Sequence, residues 1–93
     1  MVVKPGGIYS CKSGDDDFTT VKVLVVESGA VHVQLHKNLY KERPASIDPT
    51  ALEVAIGHVP LSEAGFLNWE PVLLLEQPVT DNELAGYRFW RNR

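Results

Sequence analysis

Phe18–His36, FTTVKVLVVESGAVHVQLH, is the stretch on which the fold turns. β-Branched residues crowd its first half, and Ser28-Gly29 interrupts the run with turn-forming residues. Two strands joined by a hairpin are therefore expected, over 18–27 and 30–37. In the first, Val21, Val23 and Val25 alternate with Thr20, Lys22, Leu24 and Val26. Apolar residues on both sides predict a central strand covered on both faces. In the second, Val31, Val33 and Leu35 share one face and His32, Gln34 and His36 the other, which predicts one solvent-facing side.

The hairpin register decides which side chains meet. A two-residue loop at Ser28-Gly29 pairs Glu27 with Ala30. A three-residue loop with a bulge at Gly29 pairs Glu27 with Val31. It then gathers Val21, Val23, Val25, Val31, Val33 and Leu35 on one continuous apolar face. The three-residue loop is preferred because it builds the cleaner core. It sets Lys22 near His36 and Val26 near His32 on the opposite face.

Outward from the hairpin, Pro5-Gly6-Gly7 marks a turn, 8–12 reads as a short strand, and Ser13–Asp17 (SGDDD) reads as a polar loop. Residues 38–49 are loop-like, and Asp48-Pro49 can start one helical turn. Leu52, Val54, Ile56 and His58 alternate with Glu53, Ala55, Gly57 and Val59, a strand pattern over 52–59. Gly57 and Pro60 push that strand to an edge. Ser62 caps a short helical segment over 62–69 with Phe66 and Trp69 on one face. The apolar run at 72–77 predicts a buried strand or one under a lid. Thr80-Asp81-Asn82-Glu83 is a capping box, flanked by the staple pair Val79 and Leu84, so a helix is expected over 81–91. Gly86 inside it costs about 1 kcal/mol against alanine, so this helix must lean on packing.

The 93 residues fit one domain, 1–93, and 44% hydrophobic with 23% charged residues suits a soluble globular chain. The net charge of −3 argues against general nucleic-acid binding. Cys11 is the one cysteine, so no internal disulfide can form. Lys4 and Pro5 interrupt the N-terminal valines, and no apolar window approaches the roughly 18–20 residues of a membrane span. No signal peptide is expected, and the expected location is cytoplasmic.

No catalytic constellation stands out. His32 and His36 share a strand face but lie about 13 Å apart along it, too far to ligate one ion through bonds of about 2 Å. A metal site would need His58 with His32 or His36 and a carboxylate. The bland reading of His58 is a core histidine. Asp15-Asp16-Asp17 lacks the spacing of a calcium loop and reads as a solvated turn. Cys11 reads as an inert, half-buried strand residue. Arg88, Arg91 and Arg93, interleaved with Tyr87 and Trp90, could stack on bases. They equally suit a helix whose aromatics pack inward and whose arginines complement its dipole. No cofactor is implied.

Lys22-Val-Leu24, Val31-His-Val33-Gln-Leu35, Arg43-Pro44, Gly57-His-Val-Pro-Leu-Ser62, Trp69-Glu-Pro71 and Glu83-Leu-Ala-Gly-Tyr87 with Trp90 together resemble a small family of uncharacterised bacterial proteins. That resemblance spans nearly the whole chain and brings no activity. The short strand, polar loop and long hairpin are similar in architecture to SH3-like barrels such as the Tudor type. No methyl-lysine cage maps onto named positions.

The expected fold is α+β: a strongly curved antiparallel sheet, an SH3-like partial barrel, closed by the 62–69 segment and a C-terminal helix. The expected function is a non-enzymatic module binding a protein or peptide through Lys22, His32, Gln34, His36 and Tyr40. The alternatives are a toxin-neutralising immunity protein presenting Asp15–Asp17 with Glu53 or Glu63, and a metal-dependent enzyme built on His58.

Overall fold

The computed structural model describes residues 2–92. Five strands, β1 (Gly7–Ser13), β2 (Asp17–Glu27), β3 (Ala30–His36), β4 (Val54–Ser62) and β5 (Val72–Glu76), form one antiparallel sheet in the order β4-β3-β2-β1-β5. The sheet is open, with β4 and β5 as its edges. Two helices complete the α+β fold: α1 (Glu63–Leu67) and α2 (Asp81–Arg91). A 3₁₀ turn at Pro49–Ala51 is capped by Asp48, whose side chain accepts from the Thr50 amide.

β2 lies in the middle of the sheet, as its two-sided apolar pattern predicts. Val21 and Val23 on one face and Thr20, Lys22 and Leu24 on the other are all buried. The first face carries the core: Tyr9, Cys11, Val21, Val23, Val31, Val33 and Phe66. Each large apolar side chain so buried contributes about 1.5–3 kcal/mol relative to exposure. Phe66 reaches this core because Ser62 caps α1 and turns the chain in; its ring meets Tyr9 edge-on at 5.6 Å and Trp69 at 6.2 Å.

The hairpin differs from the preferred register. Glu27 pairs with Ala30, so the loop has two residues, Ser28 and Gly29, with φ of 47° and 77°. Positive φ at both positions gives the turn whose twist matches that of the strands. The bulge lies at Leu24 instead, where the register shifts between Val23 and Val25. An extra residue there exchanges the two sides of the strand. Val25 comes opposite His32 and Val26 opposite Val31, and Lys22 faces Gln34 rather than His36. Val21 and Val23 join Val31, Val33 and Leu35 as expected; Val25 does not.

The alternating segment after residue 52 is a strand, β4, and it takes the edge position that Gly57 and Pro60 predict. β5 corrects another expectation. It is an edge strand with Val72 and Leu73 46% and 40% exposed, because it has a partner on one side only, β1.

Gly6, with φ of 86°, joins the edge to the centre: its amide donates to Val23 O at 2.7 Å, and its carbonyl accepts from the Gln77 amide at 2.9 Å. A Cβ at Gly6 would collide with the Gln77 carbonyl, whereas one at Gly29 would meet open space. Gly29→Ala should therefore cost about 1 kcal/mol, for backbone strain alone. Gly6→Ala should cost clearly more. Urea denaturation of the two variants checks this, and equal losses would contradict it.

Candidate functional site

α2 is stapled over the sheet face opposite the core. Its N-cap is Thr80, and the capping box is complete: the Glu83 amide donates to Thr80 Oγ1 at 3.2 Å, and the Thr80 amide donates to Glu83 Oε1 at 2.9 Å. The same Glu83 oxygen accepts from Lys22 Nζ at 2.9 Å, and Lys22 Nζ also donates to the Pro78 carbonyl at 2.9 Å. The Lys22 side chain is 5% exposed and that of Glu83 20%. Glu83 Oε2 accepts from Gln34 Nε2 at 3.4 Å, which turns Gln34 Oε1 toward His36 Nε2 at 2.9 Å. The neutral His36 ring then carries its proton on Nε2, and Nδ1 accepts from Thr20 Oγ1 at 2.8 Å. Burial pushes the Glu83 carboxyl up, but the Thr80 amide and the Lys22 ammonium outweigh it and hold the group below its ordinary range. Burial pushes His36 down.

The C-terminal half of α2 covers a second cluster. His32 Nδ1 lies 2.9 Å from His58 Nε2, and the two rings are nearly parallel, 11° apart. Tyr87 and Trp90 from α2 each place a ring centroid 4.8 Å from that of His32. Tyr87 donates its hydroxyl to Glu27 Oε2 at 2.9 Å, and Arg91 Nη1 donates to Glu27 Oε1 at 3.4 Å. His32 is fully buried; its Nε2 lies 3.7 Å from Glu27 Oε1 and makes no hydrogen bond. Burial lowers the pKa of both histidines. Gly86 explains how the helix comes so close, since a Cβ there would stand 2.8 Å from His58 Cβ.

Between α2 and edge strand β4 runs an open groove of about 700 Å³, with Val54, Gly57, His58, Gly86, Phe89 and Trp90 among its lining residues. Val54 is 48% exposed and Phe89 78%. Among the described residues, the only formally charged one lining the groove is Glu83, already paired with Lys22.

The side of β3 expected to face solvent is thus covered. Lys22, His32, Gln34 and His36 are buried: α2 brings Glu83 to Lys22 and Gln34 and the rings of Tyr87 and Trp90 to His32, while His36 is satisfied within the sheet by Gln34 and Thr20. Gln34 reaches the groove lining. Tyr40 stands apart, its backbone bridged to Phe18 at the start of β2. Sequence reasoning did not single out Glu27, Glu83 or Gly86 as members of these clusters. The capping box, with its Glu at N3, was the available signal for Glu83.

His32 and His58 do come together, but among the described residues no group of three or more His, Cys, Asp or Glu is placed to hold a metal ion. Asp17 pairs with Lys41 at 3.0 Å at the start of β2, while the Glu63 amide bonds to the Gly29 carbonyl beyond the other end of that strand. Of the two acids expected to join Asp15–Asp17, Glu63 therefore lies beyond the far end of β2, whereas Glu53 lies toward the Asp17 end, its amide donating to Asn38, whose carbonyl accepts from Thr19. Arg88 pairs with Asp81 at 3.1 Å and Arg91 with Glu27; Arg93 lies outside the described residues. Among the described residues no helix is long and apolar enough to cross a membrane. Compared with known proteins, the chain matches no family model, no curated relative and no solved structure.

Glu83→Leu should cost about 3–5 kcal/mol, because it leaves the Lys22 ammonium buried without its counter-charge. Lys22→Met added to it should recover most of that loss. A double-mutant cycle by urea denaturation measures the coupling, and additive effects would refute it. Cys11 is fully buried, not half-buried, and burial pushes its thiol up to about 12. It should resist an aromatic disulfide reagent in the native protein at mildly alkaline pH and react promptly once the chain is unfolded.

Proposed function

We propose that this protein is a non-enzymatic protein-interaction module that takes an extended segment of a partner protein along the free edge of β4, in the groove beneath α2. The observation that carries this reading is a nine-residue edge strand, without a strand partner on its outer side among the described residues, beside exposed Val54 and Phe89. Such an edge offers unpaired backbone donors and acceptors, and apolar side chains in a groove provide anchoring area. The near absence of uncompensated charge in the lining calls for an uncharged, apolar segment. Gly57 contributes no side chain to the groove, and a Cβ there would meet open space, which leaves room for side chains of the partner. This reading keeps a protein or peptide as the partner and moves the contact surface from the covered residues Lys22, His32, Gln34 and His36 to the neighbouring edge.

A displayed library of random peptides, selected on the purified protein, tests it. Selected peptides should carry alternating apolar residues and should shift the backbone amide resonances of 54–59 and 86–90. Val54→Lys and Phe89→Asp should each weaken binding by about tenfold or more, roughly 1.4 kcal/mol. Both side chains are exposed, so their replacement should leave stability nearly unchanged. Peptides that shift only residues elsewhere would overturn the proposal. So would a concentration-dependent dimer burying the same edge against a second copy.

A further inference from the structure

We propose that the His32–His58 pair is a proton-operated latch on the groove: a second proton on the pair breaks the contact between the imidazoles and releases the C-terminal half of α2 from the sheet. This deepens the reading of the groove as a binding site and rests on it for its biological use.

The contact between the two rings has room for a limited number of protons. Nδ1 of His32 and Nε2 of His58 face each other at 2.9 Å, a hydrogen-bond distance that accommodates one proton between them. In the neutral pair one nitrogen donates and the other accepts. One added proton on the outer nitrogen of either ring can still leave an N–H···N bond. A second added proton puts an N–H on both facing nitrogens, so the bond is lost and two cations meet with His32 fully out of water.

The groups facing the pair come from three elements. From β2, Glu27 Oε1 lies 3.7 Å from His32 Nε2 and favours the first charge. From α2, Arg91 pairs with Glu27 and opposes that charge, and the Tyr87 hydroxyl occupies the other Glu27 oxygen. From β3, His32 itself opposes charge on His58. One carboxylate, shared with an arginine and a tyrosine, cannot offset two imidazolium ions.

The consequence falls on α2 because Tyr87 and Trp90 rest on these rings and Gly86 lies directly against His58. His58, Gly86 and Trp90 also line the groove, so a change in their contact changes the site. The N-terminal half of α2 has a separate anchor in Glu83 and Lys22. The release therefore opens one end of the helix.

The sign follows from burial. Both histidines are held below their ordinary value of 6.5, so the folded state favours the neutral pair. The stability they contribute is fully present above that value and is lost as pH falls toward the lower values of the folded state. His36 is lowered in the same way but faces Glu83 and Lys22 at the other end of α2, which makes it the rival explanation.

Amide hydrogen exchange, corrected for its intrinsic pH dependence, should be followed from about pH 7 to pH 5 with no peptide present. Exchange in 86–91 should accelerate by about tenfold or more on acidification, while 81–84 changes less. In the native protein, His32 and His58 should titrate as a coupled pair in two separated steps, read from the imidazole resonances. His58→Gln, which retains a hydrogen-bonding group but does not titrate, should abolish the acceleration, whereas His36→Gln should leave it. Unchanged protection of 86–91, independent single-step titrations, or an unaltered response in His58→Gln would each overturn the latch. Peptide selection can fail without affecting these readings, and these can fail without affecting peptide selection, so the two proposals are separable.

Discussion

The ion pair between Lys22 and Glu83 is the constraint around which the rest of the molecule is arranged. Lys22 sits in the middle of the central strand, between two core valines and opposite Gln34. An ammonium there must have a counter-charge and hydrogen-bond acceptors, because burying it alone costs several kcal/mol. Both come from the C-terminal part of the chain: Glu83 at the third position of α2, and the Pro78 carbonyl just before it. The carboxylate that completes the helix cap is therefore also the one that fixes where the helix lies. Gln34, His36 and Thr20 extend this contact into a continuous chain of hydrogen bonds across β2 and β3. Every member has a partner, which is the condition under which a buried polar layer specifies one arrangement instead of destabilising the fold.

The two halves of α2 are held by different physics. The first half is held by charge and capping, the second by rings packed on imidazoles. The glycine that weakens the helix as an isolated segment is what permits that second contact, since its missing side chain lets the backbone approach His58. Arg91 and Tyr87 both bond Glu27, near the hairpin turn, so that the far end of the helix is tied to the opposite end of β2 from Asp17. Phe89, on the same helix, is left outside. An exposed aromatic beside a strand edge that has no strand partner among the described residues is the feature of this surface that its own core does not use.

Much of the local structure was legible from residues close together in sequence. Thr80 and Glu83 define the start of α2, Ser62 the start of α1, and Asp48-Pro49 the 3₁₀ turn, because a cap is made by side chains within three positions of the amides they satisfy. Gly57 and Pro60 marked β4 as an edge for an equally local reason. The aromatic spacing at Tyr87 and Trp90 indicated an inward face of α2 but not what that face would cover. The candidate site was the less legible part. The alternation of His32, Gln34 and His36 with valines and leucine reads as a wet face because polar residues are most often solvated. His32 and Gln34 find partners 26 and 49 positions away, and no local pattern announces them.

The sequence by itself determined most of the elements: the strands other than β4, where both helices begin, and that β2 must be covered on both sides; the alternation over 52–59, interrupted by Gly57 and followed by Pro60, left β4 open. Those outcomes depend on backbone propensity, capping and side-chain period, all of which act over a few residues. The tertiary structure alone decided the register of the hairpin and the fate of its polar face. A two-residue turn with positive φ at Ser28 and Gly29 won over the longer loop, and the extra residue was absorbed at Leu24, sending Val25 to the side of His32. Docking of α2 then enclosed that side. Both choices were settled by competition between whole surfaces for burial and for hydrogen-bond partners, which exists only once distant parts of the chain have met.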